Sequence, residues 1–141
     1  MGFTDAIKTG LAKFVTWQGR ASRSEYWYFI LFNMLVLVIA SVFDNVLGTN
    51  FKMTNPATGL QMGLPYGYLY ALGALALLLP NLAVLVRRLH DTDRSGWWYW
   101  IILVPLIGGI LVLVWFCSRG TDGGNRYGAD PLGLGEARVF N

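Results

Sequence analysis

Three apolar runs separated by polar stretches dominate the chain: Tyr26 to Val46, Tyr68 to Val86 and Trp97 to Cys117. A helix crossing a bilayer needs about 20 apolar residues at about 1.5 Å rise each, and each run has that length. Ahead of them, Phe3, Ile7, Leu11, Phe14 and Val15 recur at helical spacing, with Lys8 and Lys13 outside the stripe and Asp5 near the start. This predicts a short amphipathic helix lying in the headgroup plane. The alternative is a helix packed on the rest of the protein. The pattern divides the chain into an interfacial segment (1–25), a transmembrane helical domain (26–117) and a polar, turn-rich tail (118–141). The expected fold class is all-α, an integral membrane bundle with three hydrophobic segments and an amino-terminal amphipathic helix.

Several positions refine the pattern. Asp44 falls near the far end of the first run and need not sit in hydrocarbon. Leu47 to Gly67, rich in Gly, Asn, Thr and Pro, reads as a loop with Lys52 as its one cation. Gly67, Ala71 and Ala74 form a small-residue stripe along the second run that would support close helix approach and self-association. Pro105, Gly108 and Gly109 interrupt the third run. It is read as a kinked third span, because neither half could cross alone. A re-entrant hairpin turning at Pro105 to Gly109 is the rival. It would keep the basic tail residues Arg119, Arg126 and Arg138 on the side of Lys8, Lys13, Arg20, Arg23, Arg87, Arg88 and Arg94. Counting cations places the amino terminus in the cytosol.

Composition supports lipid as the solvent. Hydrophobic residues make up 55% and charged residues 13%, against about 25% charged in a soluble domain. Six Trp and seven Tyr suit a protein with two water–lipid boundaries. In so apolar a chain the net charge of +3 points to anionic headgroups rather than nucleic acid. Cys117 is alone, so an intrachain disulfide or thiolate metal cage is excluded. Residues 1–25 contain no continuous apolar stretch of signal-peptide type, so the first run would act as an uncleaved anchor.

The candidate chemistry gathers in Arg87-Arg88-Leu89-His90-Asp91-Thr92-Asp93-Arg94-Ser95-Gly96-Trp97-Trp98, which reads as a loop pinned to a membrane surface at both ends. One reading is a solvated, self-neutralising loop that sets topology. The other is a headgroup or partner site built from Arg20, Arg23, Arg87, Arg88 and Arg94, with His90 titrating nearby and Asp91 and Asp93 balancing charge. His90 is the only histidine, and no His/Cys cluster, Ser-His-Asp ordering or phosphate-cradling glycine motif accompanies it. No catalytic residue, metal ligand or cofactor is therefore assigned. Asn33 and Asn81 both fall about 9–11 Å inside the cytosolic boundary. They are expected to pair between the first two helices or to satisfy local carbonyls; non-additive losses on Asn33→Ala and Asn81→Ala would mark the pair. The span interiors hold no Asp, Glu, Lys, Arg or His, so a charged transport path has no visible parts. In the tail, Asn125 and Asp130 are turn formers, and Arg126 and Tyr127 could cap the bundle or touch headgroups.

Three separated motifs in one order carry a resemblance: Gly19-Arg20-x-x-Arg23-x-Glu25-Tyr26-Trp27, the central stretch, and Gly120-Thr121-x-Gly123-x-Asn125-Arg126-Tyr127-Gly128-x-Asp130-Pro131. From about Gly19 to Pro131 the chain resembles the domain-of-unknown-function 805 family of small bacterial inner-membrane proteins. Asp122 and Ala129 stand where that family commonly has Pro. The resemblance implies a bacterial plasma membrane and a few transmembrane helices, and it transfers no catalytic residue. The expected function is a non-enzymatic structural or interaction protein whose basic cytosolic face contacts anionic lipid or a partner. An oligomeric small transporter or channel subunit is the alternative, and a lipid-headgroup enzyme comes third.

Overall fold

The computed structural model describes residues 1–133, and Arg138 of the tail lies outside them. In order, the elements are α1 (Phe3–Ala12), α2 (Arg23–Leu47), β1 (Asn50–Thr54), β2 (Gln61–Gly67), α3 (Tyr68–Asp91), a 3-10 helix (Gly96–Leu103) and α4 (Ile107–Cys117). They fall into two compact units. One is built from Met1–Phe29 and the chain from Pro80 onward; the other is Ile30–Leu79.

Two helices are long and apolar enough to cross a membrane, α2 with 25 residues and α3 with 24. At 1.5 Å per residue each spans about 36 Å, against about 30 Å of hydrocarbon. Their outward faces are apolar: Val38, Ile39, Val42, Leu72 and Leu75 are all more than half exposed. That surface is stable only where lipid covers it. Helix α1 packs through its small residues, since Ala6 and Gly10 are buried and a Cβ on Gly10 would lie 2.4 Å from the Phe29 ring. Its stripe of Phe3, Leu11, Phe14 and Val15 remains exposed.

The expected loop at Leu47 to Gly67 is instead an antiparallel hairpin, so the fold is mostly helical rather than all-α. Met53 pairs with Met62 and Thr54 with Gln61. The turn residues that suggested a loop make the reversal. Asn55 Oδ1 accepts from Ala57 N–H at 2.9 Å, and Gly59 supplies a φ of +68°. Phe51, Met53, Met62 and Tyr66 supply arms that fit strands. The small-residue stripe loses its first member to the sheet, leaving Ala71 and Ala74 on α3. Gly67 ends β2, pressed against Thr49, where a Cβ would come within 2.3 Å of the carbonyl oxygen.

Helix α3 starts directly after that strand. The Asp44 carboxylate accepts from the N–H groups of Leu69 (3.0 Å) and Tyr70 (2.9 Å), and from the Thr49 hydroxyl at 2.7 Å. Amides at a helix start lack intrahelical partners and carry the positive end of the dipole, so a carboxylate suits them. At the other end, Arg94 N–H donates to Leu89 O (3.0 Å) and Asp93 N–H to His90 O (3.0 Å), with Asp93 at φ 58°. This is a Schellman stop with Asp93 in the left-handed position.

The third hydrophobic segment is not one kinked helix. The 3-10 helix and α4 pack on each other through a reversal at Val104 to Leu106. Trp98 and Trp115, near its two ends, meet edge to face with centroids 6.0 Å apart. Pro105 offers no N–H, and Ile107 N–H donates to Pro105 O at 2.8 Å around Leu106, whose φ is 64° and ψ −60°. Gly108 permits the close approach, for a Cβ there would sit 1.7 Å from Ile101 O. The 11 residues of α4 extend about 16 Å, half a bilayer.

Candidate functional site

In the first unit, the start of α2, the last turn of α3 and the tail converge on one carboxylate. Ser22 precedes α2, and its hydroxyl accepts from Glu25 N–H at 3.2 Å, the Ser-x-x-Glu arrangement of a helix start. The Glu25 side chain accepts from Arg87 of α3. Alongside, Ala21 N–H donates to Arg87 O at 2.9 Å. One turn on, Asp91 receives two guanidinium groups, Arg20 on Oδ1 at 3.0 Å and Arg88 on Oδ2. Arg20 continues into the tail, donating to the carbonyls of Thr121 and Gly123, while Thr121 N–H returns a bond of 2.8 Å to Asp91 O.

Arg88 also closes the end of α4. Its guanidinium donates to Phe116 O (3.3 Å), Trp115 O (3.4 Å) and Ser118 O. Trp27 Nε1 adds a bond to Phe116 O at 3.2 Å, and Arg23 one to Cys117 O at 3.3 Å. The last carbonyls of a helix have no intrahelical donor and form the negative dipole end, so cations are drawn there.

These charged groups are interior. Exposure is 7% for Arg20, 3% for Glu25, 1% for Arg87, 0% for Arg88 and 4% for Asp91. Three guanidinium groups face two carboxylates, leaving one positive charge in excess, and the carbonyl dipoles at the end of α4 lie against it. A buried charge stripped of its partner costs several kcal/mol, so each member depends on the others. Arg20, Arg87 and Arg88 are turned inward rather than toward headgroups, and the stretch from Arg87 to Asp91 is helix rather than solvated loop.

A second layer encloses this network. Asn125 Nδ2 donates to His90 O at 2.9 Å, while its Oδ1 accepts from Tyr127 N–H at 2.9 Å, and the Tyr127 ring stacks on His90 at 4.0 Å and 3°. Arg126 pairs with Asp93 at 3.2 Å on the surface. Asp130 Oδ2 accepts from Gly123 N–H at 3.1 Å, and Arg94 lies 4.4 Å over the Trp115 ring. At the rim, Ser22, Arg23, Ser24, Asp91, Arg119, Gly120 and Leu132 line a cleft of about 200 Å³. The side chains of Arg23 and Arg119 are exposed there.

Protein of unknown function DUF805 matches residues 14–129, which takes in all three motifs whose side chains meet here. The chain belongs to this family. Similar proteins include the inner membrane proteins YhaI and YhaH of Escherichia coli K12. YhaI is 46% identical over 121 residues, covering 86% of this chain and 90% of YhaI. YhaH is 40% identical over 121 residues, covering 86% of this chain and 91% of YhaH. No solved structure matches the chain.

Within this DUF805 fold the central stretch and the tail motif form one assembly. Arg20, Arg88, Asp91 and His90 are joined with Asn125, Tyr127 and Asp130, whereas Arg23 sits at the rim and Asp93 pairs outward. Asn33 is buried on α2 and Asn81 half-buried on α3. Among the described residues no group of three or more His, Cys, Asp or Glu side chains could hold a metal ion. Sequence reasoning passed over Ser22 and Glu25 as site members, although Ser-x-x-Glu ahead of an apolar run is a recognised helix-start signal.

Proposed function

We infer that this protein is a non-enzymatic component of the bacterial inner membrane whose folded polar end holds anionic lipid headgroups at the cytosolic surface. The observation that carries the reading is the division of labour among its arginines. Arg20, Arg87 and Arg88 are buried in the interior, while Arg23 and Arg119 stay exposed beside Ser24 at the start of α2. Two cations, the Ser24 hydroxyl and a helix amino-terminal end suit a lipid phosphate. The Arg119–Asp122 pair is exposed on both sides, so it is screened and gives way easily.

The same reading makes the hairpin of 3-10 helix and α4 a re-entrant segment, with the amino terminus and tail both cytosolic. Its support is that Lys52 is the one cation between α2 and α3, while the other cations lie at or before the first residue of α2 or follow Val86. The inner-membrane names of YhaI and YhaH are in keeping with it. Labelling of Ala129→Cys and of Thr58→Cys, each in a Cys117→Ser background, checks the orientation. Ala129→Cys should react only from the cytosolic face and Thr58→Cys only from the other; labelling from one common face discards it. For the headgroup site, phosphatidylglycerol added to phosphatidylcholine nanodiscs should raise the Tm by several degrees. In Arg23→Gln/Arg119→Gln most of that gain should disappear. An equal gain in both proteins removes the cleft from the proposal.

A further inference from the structure

A second concavity lies in the first unit, away from the rim cleft. It is a groove of about 510 Å³ along the later turns of α3. Leu82, Val86 and His90 follow one another at four-residue spacing on one helix face, so the lining changes from aliphatic to polar over about 12 Å. Trp17, Trp97, Tyr99 and Trp100 supply aromatic surface, and Ser95 and the Tyr99 hydroxyl join His90 as polar groups beside the indole N–H donors. No Lys, Arg, Asp or Glu is in the lining. A largely apolar groove whose α3 face runs from Leu82 to the polar His90 orients an amphiphile, and four aromatic rings favour a planar head.

The imidazole narrows the choice of head. Nδ1 lies 3.0 Å from Gly19 O, which can only accept, so Nδ1 carries the proton. One ring face is covered by Tyr127, stacked at 4.0 Å. In the neutral ring the remaining nitrogen, Nε2, is therefore an acceptor, and the structure records no hydrogen bond to it among the described residues. An acceptor in a groove without cations selects an uncharged head bearing an O–H donor. A carboxylate or phosphate would find no cation along this lining.

We propose that the groove of Trp17, Leu82, Val86, His90 and Trp100 binds an uncharged phenolic membrane amphiphile of the quinol type, its hydroxyl donating to His90 Nε2 and its tail lying along α3. The proposal concerns binding alone and is independent of the rim cleft. The test therefore uses phosphatidylcholine nanodiscs without anionic lipid. A decyl-tailed benzoquinol is titrated under anaerobic conditions while tryptophan fluorescence is followed. Saturable quenching is expected. The dimethyl ether of the same quinol, with ring and tail but no O–H, should bind about tenfold more weakly.

His90→Asn keeps a donor for Gly19 O and loses the Nε2 acceptor, so it should weaken the quinol about tenfold and leave the dimethyl ether unchanged. Leu82→Phe narrows the groove at a partly exposed position and should weaken both probes; it keeps the test decisive if His90→Asn fails to fold. Dodecanol, an aliphatic hydroxyl amphiphile, should not compete. Non-saturable quenching, equal affinity for quinol and ether, or displacement by dodecanol each overturns the proposal.

Discussion

The two units solve the same problem, finishing a long apolar helix in polar surroundings, by opposite means. In the second unit one carboxylate suffices. Asp44 satisfies the opening amides of α3, and a hairpin of mainly neutral residues completes that end. In the first unit five buried charges, borrowed carbonyls and a long tail segment are needed. The difference follows from charge placement. An end with many arginines must shelter some of them; Arg20 and Arg88 find acceptors around most of the planar fork, while Arg87 relies on Glu25 alone among the described residues. The economical end should tolerate loss of a part better than the crowded end.

Substitution sharpens that contrast. The largest effect should come from Asp91→Ala, which leaves Arg20 and Arg88 facing each other without their shared carboxylate. A loss of about 3–5 kcal/mol is expected from breaking a buried pair. Reversible denaturation in micelles measures it, and a loss no greater than that of an exposed pair would mean that solvent reaches the network. Asp44→Ala should cost less, lowering Tm by a few degrees, because it strands neutral amide and hydroxyl donors rather than two buried charges. Asp44→Asn, which keeps one acceptor, should fall between that variant and the native chain. If Asp44→Ala proves the more damaging of the two sites, the contrast between the ends is reversed.

The sequence carried the helical skeleton well, because α2 and α3 are written in apolar length, a signal that neighbours do not alter. It also exposed Pro105, Gly108 and Gly109 as a break. Length favoured a single kinked crossing, yet Gly108 lets the chain fold back on Ile101, an approach visible only in three dimensions. The β-hairpin was obscured because its turn chemistry, Asn55 to Gly59, is dense enough to hide the strands on either side. At the site, the residues were legible and their directions were not. Arg87 and Arg88 look alike in sequence, but adjacent helix positions point about 100° apart. One therefore meets Glu25 and the other the end of α4.

Arg88 and Arg20 take their last hydrogen-bond acceptors from Trp115 to Gly123, a stretch translated after both long helices. During synthesis there is an interval when those helices exist and two guanidinium groups have Asp91 but lack these carbonyl acceptors. Ribosome release of the closing segment should then complete this end. Nascent chains stalled before Ser118 should be the ones that quality-control proteases recognise.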